Sequence, residues 1–266
     1  MTDHHVAGRF RRPAPHDDGL PTRGETEAVS TYDNRLPGWV FSLLTGAKRA
    51  YIAAVMDESP HKLEIEIKLK LESFMDYLKL VGFLGQIESE DHHINGFFDS
   101  EERHLGKGGW ALRVRVENHR GLVTVKSIPR QAGLAVVRQE IEAEIARSVA
   151  MEVLELHTDV LELPVMPVQF IKGEFPGIHL ARLIQFHNTR QKKLFRIGDH
   201  NYLLEIDKTE YSDGSSDYEL EIELNDTGRV EVVEGHIRKL FQTLGIPFEK
   251  QCESKLARAL QKAKIL

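Results

Sequence analysis

Cysteine is almost absent from this sequence of 266 residues, in which Cys252 is the only one. A single cysteine cannot form an intrachain disulfide, and it cannot supply the ligands of a Cys-rich zinc site. This usage fits a reducing compartment and favours the cytoplasm. The basic stretch RFRRP, residues 9–13, is typical of an organellar transit peptide, but Asp3, Asp17 and Asp18 beside it argue against one.

Long uncharged apolar runs and an excess of positive charge are also missing. The most apolar stretch, residues 38–56, is interrupted by Lys48 and Arg49, so no run reaches the ~20 residues of a transmembrane helix. The chain has 35 Lys and Arg against 41 Asp and Glu, a net charge of -6. This balance argues against a nucleic-acid partner but leaves a small anionic ligand open.

The first sixty residues differ from the rest. Residues 1–36 lack periodicity and are rich in charged residues, Pro and Gly, which predicts a flexible tail. Residues 38–56 have apolar side chains at helical spacing, and they predict an amphipathic helix. Such a helix docks on its own protein, on a partner or on a membrane surface. We therefore expect an N-terminal extension over residues 1–60 and one folded domain over residues 61–266.

Strict alternation of apolar and charged residues is the main feature of that domain. In LEIEIKLKL (Leu63 to Leu71), Glu64, Glu66, Lys68 and Lys70 share one face of a strand and the apolar residues share the other. The same period returns in WALRVRVE (110–117), LVTVKS (122–127), VVRQEIEAEI (136–145) and YELEIEL (218–224). Turn residues separate these runs, which predicts antiparallel strands joined by short loops.

Three stretches with an apolar stripe, residues 72–84, 146–156 and 234–246, predict helices. The residues around His92 and His93 show no clear period of a helix or a strand. We expect these two histidines to be solvated loop residues rather than metal ligands.

The charged faces have two possible destinations, bulk water or a ligand. Glu64 and Glu66 would lie about 7 Å apart on one face, and at an effective dielectric of about 20 they would repel by about 2 kcal/mol. Salt screens such repulsion on an open surface. On a closed surface it persists unless a cation lies between the carboxylates, and Mg²⁺ and Mn²⁺ prefer oxygen ligands. The neighbouring Lys and Arg would then bind a polyvalent anion such as a phosphate chain.

A closed barrel would direct all of these faces into one interior. About eight antiparallel strands leave room for one small ligand. Their apolar outer faces would then require cover, which the three predicted helices provide. The predicted fold is therefore α+β and mainly β: an eight-stranded antiparallel closed barrel, or tunnel, with flanking helices.

Several motifs in this order resemble the CYTH superfamily, also called the triphosphate tunnel metalloenzymes, and most of all its inorganic triphosphatases. Glu64 to Lys68 resembles the ExExK signature of the family. The later elements resemble its other strands and its closing lysine element, and they are FFDSEERHLGKGGWALRVR, VTVKS, RQEIEAE, Asn188–Thr189–Arg190, LLEIDKTEY, YELEIEL and SKLARAL. The resemblance extends over roughly residues 61 to 260.

The resemblance implies a tunnel that binds a triphosphate end-on with Mg²⁺ or Mn²⁺. It assigns one metal to Glu64, Glu66 and Glu221, and a second metal with the attacking water to Glu140, Asp207 and Glu219. It assigns the phosphate chain to the basic set Lys68, Arg113, Arg115, Lys126, Arg138, Arg190 and Lys255. Within these sets, the residues expected to carry catalysis are Glu64, Glu66, Lys68, Lys126, Arg190 and Asp207.

Other charged residues extend the alternation beyond the expected site. Whether Arg182 also binds the phosphate chain stays open, because the register of its strand is unclear from the sequence. The remaining ones, Lys70, Glu117, Glu142, Glu144 and Glu223, are assigned to tunnel ends or structural pairs.

The function implied by the resemblance is metal-dependent hydrolysis of the terminal phosphate of a triphosphate, inorganic or organic. A class IV adenylyl cyclase and a thiamine triphosphatase remain alternatives, because all these enzymes share the tunnel. A non-catalytic polyphosphate-binding module is a further alternative. The acidic residues argue against that module, since anion binding needs only the basic set. No Ser-His-Asp or Cys-His pattern is evident, so a covalent intermediate is not favoured.

Overall fold

The computed structural model of the protein describes residues 61–265. The flexible tail predicted for residues 1–36 and the amphipathic helix predicted for residues 38–56 lie outside these described residues. Within them, no helix combines the length and the apolar character needed to cross a membrane.

Eight strands form a closed antiparallel barrel, which confirms the predicted fold class. Around the barrel they follow the order β1 (His61–Leu71), β9 (Ser216–Glu223), β8 (His200–Glu210), β7 (Ala181–Ile197), β2 (Ser89–Asp99), β3 (Trp110–Glu117), β4 (Arg120–Ser127) and β6 (Ala135–Ala146). Strand β6 pairs again with β1, and this pairing closes the barrel. Two short strands, β5 (Arg130–Ala132) and β10 (Glu249–Lys250), extend β6 and β1 respectively.

The register of the barrel brings opposite charges side by side. Glu64 of β1 lies opposite Arg138 of β6, and Lys68 of β1 lies opposite Glu221 of β9. Glu66 between them is only 3% exposed. The charged face of β1 therefore points into the barrel, while Ile67 and its apolar neighbours pack on the outside.

Helices cover the outer face of the barrel. Helices α1 (Phe74–Leu84) and α5 (Val230–Leu244) pack over β1, β8 and β9. Helices α3 (Arg147–Leu154) and α4 (Met166–Glu174) pack over β3, β4 and β6. The last helix, α6 (Lys255–Lys262), packs on β7, and a single turn, α2 (His104–Lys107), precedes β3. Short 3₁₀ turns occupy Val160–Glu162 and Thr227–Arg229.

Local signals explain where the predicted helices begin and end. Ser73 caps α1, because its hydroxyl accepts a hydrogen bond from the Asp76 amide at 3.2 Å. Gly245 ends α5 in the left-handed region, at φ 61°. The three predicted helices are confirmed by α1, α3 and α5, whereas α4 and α6 were not predicted as helices.

The expectation that His92 and His93 lie in a loop is wrong. Both belong to β2, where His92 is exposed and His93 is 2% exposed. The alternation of this strand was hidden because its inward positions, Asp91, His93 and Asn95, are polar, while the outward positions include His92 and Gly96. With polar or small residues on both faces, the strand gave no apolar period.

Candidate active site

The interior of the barrel contains a cavity of about 630 Å³ with charged walls. Its lining includes most of the residues singled out in the sequence: Glu64, Lys68, Arg113, Arg115, Lys126, Arg138, Glu140, Arg190, Glu221 and Lys255. Glu66, Asp207 and Glu219 are buried beside them and contact the same cations. The barrel thus brings the whole predicted set into one interior.

Three of the predicted metal ligands converge on one side of this interior. Asp207, Glu219 and Glu221 are buried, and each offers an oxygen within 4.8 Å of the others. Two cations lie among them. Lys255, from the first turn of α6, contacts Asp207 at 2.8 Å, Glu221 at 2.9 Å and also Glu219. Arg190 holds Asp207 with two hydrogen bonds, from Nε at 2.8 Å and from Nη2 at 2.6 Å.

These cations set the protonation of Asp207 and Glu221. Burial alone would raise the pKa of Asp207, but Arg190 and Lys255 outweigh it and hold the pKa well below its ordinary value. The same competition, with Lys255 and Lys68 as the first opposing cations, lowers the pKa of Glu221. These two carboxylates are therefore anionic, and they form a buried binding place for positive charge.

A second charged group lies where β1 meets β6. Arg138 donates to Glu66 at 2.8 Å and also contacts Glu64. Lys126 lies 3.1 Å from Glu64 and 2.7 Å from Glu140. Glu64 and Glu140, each assigned to a different metal by the resemblance, therefore share one lysine.

The two glutamates of the ExExK motif differ in their titration. Burial pushes the pKa of Glu64 upward, but Lys126 and Arg138 reverse this and bring it well below the ordinary value. Burial raises the pKa of Glu66 above its ordinary value, since the attraction of Lys68 is partly cancelled by repulsion from Glu64. Lys68 lies 3.1 Å from Glu66 and contacts Glu221, so it joins the two charged groups.

Strands β2 and β3 form the basic wall. Arg113 donates to Thr124 at 3.0 Å, and Arg115 donates from Nε to Asn95 at 2.8 Å. Burial and the neighbouring Arg113 lower the pKa of Arg115 to about 10. The Arg115 guanidinium is still charged at neutral pH. Arg113 and Arg115 both line the cavity, and their nearest carboxylates, Glu142 at 3.6 Å and Glu117 at 3.4 Å, lie farther away than those of Arg190.

Of the residues assigned to tunnel ends or structural pairs, Glu117 is buried beside His93 and Arg115, and the others occupy the margins. Glu117 pairs with Arg120 at 2.5 Å, Glu142 accepts from Thr124 at 2.7 Å, and the others pair with solvent-exposed partners: Glu144 with Arg120, Glu223 with Lys62, and Lys70 with Glu72. Arg182 lies on the outer side of β7, where its guanidinium donates to the Leu154 carbonyl and to Gln185. Arg182, whose role the sequence left open, therefore lies outside the interior of the barrel.

Several interior residues were not predicted. Glu205 is buried beside Arg190, and burial raises its pKa. Its position two residues before Asp207 was the available signal, because residues two apart share a face of a strand. Arg258, which donates to Glu219 at 2.7 Å and to Asp217 at 2.9 Å, lies one helical turn after Lys255 and was detectable only once α6 was known.

The donor chemistry of the acidic trio fits a divalent cation. Asp207, Glu219 and Glu221 offer carboxylate oxygens, which Mg²⁺ and Mn²⁺ prefer. Because Lys255 and Arg190 neutralise these oxygens in this structure, a metal ion would have to displace them. The same two cations would then be free to contact an anion that arrives with the metal.

The comparisons with known proteins agree with this fold. The sequence profile of the CYTH domain family matches residues 62–254. HpAC1 from Hippeastrum, an adenylyl cyclase candidate reported to have a dominant triphosphatase activity, is 27% identical. The similarity covers 74% of this chain and 95% of that one, with a TM-score of 0.67.

Two other solved structures share the fold. An adenylate cyclase candidate from Bacillus halodurans is 23% identical over 75% of this chain and 98% of its own, with a TM-score of 0.57. PH1819 from Pyrococcus horikoshii is 18% identical over 74% and 99%, with a TM-score of 0.50. No protein with a curated description matches the sequence.

Proposed function

The chain belongs to the CYTH domain family, and we propose that it hydrolyses the terminal phosphate of a triphosphate inside its tunnel with the help of Mg²⁺ or Mn²⁺. The observation that carries the proposal is the arrangement of both charges in one interior. The buried carboxylates Asp207, Glu219 and Glu221 face the cations Lys255 and Arg190. An interior built only to bind an anion would not need the carboxylates.

The protein groups supply positioning and electrostatic stabilisation, which are the main requirements of phosphoryl transfer. Arg113, Arg115 and Lys126 bind the non-bridging oxygens and hold the chain in line with the attacking water. As the bond from the terminal phosphorus to its bridging oxygen breaks, negative charge grows on the pyrophosphate leaving group. Lys68 and Arg190 stabilise that charge in a site from which bulk water is largely excluded.

The acidic residues would hold the divalent ion. Asp207, Glu219 and Glu221 are the first candidates, and Glu64 and Glu66 are the next. A bound Mg²⁺ or Mn²⁺ lowers the pKa of water and neutralises phosphate oxygens.

Inorganic tripolyphosphate is the first candidate substrate. Trp110 lies at the edge of the cavity, but its ring packs edge-on against Phe170 with 4.7 Å between the ring centroids. This packing leaves it poorly placed to stack on thiamine or adenine. The dominant triphosphatase activity reported for HpAC1 supports hydrolysis over cyclisation.

A product assay tests the proposal. The protein is incubated with tripolyphosphate, thiamine triphosphate or ATP, each with Mg²⁺, Mn²⁺ or a chelator. We expect tripolyphosphate to give orthophosphate and pyrophosphate only when the divalent ion is present. Pyrophosphate and a cyclic nucleotide from ATP would instead identify a cyclase, and binding without turnover would identify a non-catalytic module.

We also propose that residues 61–266 are the catalytic unit and that residues 1–60 are a separate extension. The match of the family profile to residues 62–254 supports this boundary. A protein beginning at Ser59 should fold and retain the kcat of the full chain. A well-folded protein with a lower kcat would show that the boundary is misplaced.

A further inference from the structure

Buried hydrogen-bond donors without a partner are concentrated on the basic wall. Among residues 61–265, three buried side-chain polar atoms lack any partner: Asn95 Nδ2, Arg113 Nε and Gln191 Oε1. A fourth atom outside hydrogen-bond geometry, His93 Nε2, lies 3.2 Å from the Glu117 carboxylate. Two of the three unpartnered atoms are nitrogens of inward positions on β2 and β3. A buried N–H without an acceptor is costly, so two of them on one wall indicate a surface shaped for a ligand that accepts hydrogen bonds.

The orientation of the Asn95 amide is fixed by its neighbour. Arg115 donates from Nε to Asn95 Oδ1 at 2.8 Å. Because a guanidinium can only donate, the oxygen of the amide must face Arg115, and Nδ2 is left as the free donor. Asn95 is 1% exposed and lines the cavity.

Asn188 shows what a fully paired asparagine looks like in the same barrel. Its Nδ2 donates to Asp207 at 3.0 Å, and its Oδ1 accepts from Thr209 at 2.7 Å. The protein therefore satisfies both ends of this amide. In Asn95 it satisfies only the oxygen, and the free donor belongs to the residue that lies opposite Arg115, two positions along β2 from the partner of Arg113.

We propose that Asn95 Nδ2 donates a hydrogen bond to a non-bridging oxygen of the bound triphosphate, which makes Asn95 a substrate-binding residue. This inference rests on the proposed function. The oxyanions of a phosphate chain fit the site because they accept bonds from Asn95, Arg113 and Arg115 together. The hydrogen bond from the amide orients the substrate without adding charge to the site. Because Asn95 also holds Arg115, it couples the position of the substrate to the position of that guanidinium.

Two substitutions separate this role from the support of Arg115. Asn95→Asp has nearly the same shape and keeps an acceptor for Arg115, but it loses the donor. We expect its KM for tripolyphosphate to rise by about 10-fold or more, as for the loss of a hydrogen bond to a charged group. Asn95→Ala removes donor and acceptor, and its KM should rise as well.

The opposite results are equally clear. If Asn95→Asp has the KM of wild type, Asn95 only holds Arg115 and the inference is wrong. If Asn95→Ala has the KM of wild type while Asn95→Asp is impaired, the new carboxylate alone is responsible, and the inference is again wrong. Thermal melts of both variants check that each is folded.

A direct measurement on the wild-type protein does not depend on the variants. The two side-chain amide protons of Asn95 are followed by NMR while tripolyphosphate is added, with and without Mg²⁺. We expect one of them to move downfield, and signals unmoved at saturation overturn the inference. If these signals move but no triphosphate is hydrolysed, the proposed function fails and the binding role of Asn95 stands. If triphosphate is hydrolysed while the signals stay unmoved, the proposed function stands and the binding role of Asn95 fails.

Discussion

The acidic side of the tunnel and the basic wall hold their charges in different ways. On the acidic side, Arg190 of β7 and Lys255 of α6 each contact three carboxylates of β8 and β9. On β2 and β3, Asn95 and Arg113 keep donors that no residue of the described chain satisfies. The acidic side is neutralised by the protein itself, whereas the basic wall is ready to receive an anion.

This difference implies that metal and phosphate assist each other. A divalent ion must displace Lys255 and Arg190 from the carboxylates, which is unfavourable while those cations have no other partner. A phosphate chain on the basic wall offers them one. Each ligand should therefore bind more tightly in the presence of the other, and this coupling must be reciprocal in free energy.

The largest expected effect comes from Glu66 of β1, which Lys68 connects to the acidic side. Glu66→Gln should lower kcat by roughly 100-fold or more, as when a main electrostatic contributor is removed, and should raise the Mg²⁺ concentration needed for half-maximal activity. Stability without ligands should hold or rise. Burial raises the pKa of Glu66 in the folded protein, so its ionised form opposes folding at neutral pH.

A matched control is Glu223→Gln. Glu223 pairs with Glu66 in the register of β1 and β9, but its side chain is 43% exposed. It should change activity little. Steady-state kinetics over a range of Mg²⁺ and thermal melts of both variants decide the matter: a Glu66→Gln protein with the activity of wild type would contradict a catalytic role for Glu66.

The next effect comes from the basic wall. Arg113→Met should reduce kcat/KM for tripolyphosphate by about 10- to 100-fold, the range for hydrogen bonds to charged groups. The Mg²⁺ requirement should stay close to that of wild type, because Arg113 contacts none of the trio carboxylates. Arg196→Met is the control, since that side chain is 70% exposed near the end of β7. A changed Mg²⁺ requirement in Arg113→Met alone would show that the two sides are not separable.

The sequence predicted the strands that alternate clearly. Strands β1, β3, β4, β6 and β9 each place apolar residues outside and charged residues inside, and a period of two fixes both faces. The sequence did not reveal β2, because His92 and Gly96 interrupt the apolar residues on the outward face of that strand. It also did not reveal α4, which has Pro167 in its first turn.

The individual contacts of the site could not be predicted in the same way. A period of two tells which face a residue occupies, but not which strand lies beside it. The pairing of Lys126 with both Glu64 and Glu140 follows from the closure of the barrel between β1 and β6. The free donor on Asn95 follows from the register that sets it opposite Arg115. Both depend on the offset between strands, for which the sequence has no local signal.

A smaller effect concerns His93 of β2 and the dependence of the protein's stability on pH. Burial lowers the pKa of His93 to about 3 in the folded protein, against an ordinary value of 6.5. Between these values the unfolded chain binds the additional proton, so stability due to His93 is complete above about pH 6.5 and is lost as the pH falls toward 3. The slope in the middle of this window is about 1.4 kcal/mol per pH unit.

His93→Gln removes that dependence. Chemical denaturation between pH 4 and 7 should therefore give a flatter stability profile for this variant than for wild type. His92→Gln, with a side chain that is 69% exposed, should keep the wild-type slope. Parallel profiles for all three proteins would show that His93 is not held neutral by its surroundings.

The smallest effect lies outside the barrel and should leave both sides unchanged. Gly82 is an exposed residue within α1, and a methyl group added there would meet no atom within 4 Å. Gly82→Ala should stabilise the protein by about 0.5–1 kcal/mol, because alanine loses less backbone entropy in a helix. Gly85→Ala is the contrast, since Gly85 ends the same helix at φ 66°, where a side chain is strained. Thermal melts should show a rise for the first and a fall for the second, with the same Mg²⁺ requirement and KM for both. A shift of either kinetic value would mean that α1 positions the charged face of β1 as well as covering its apolar face.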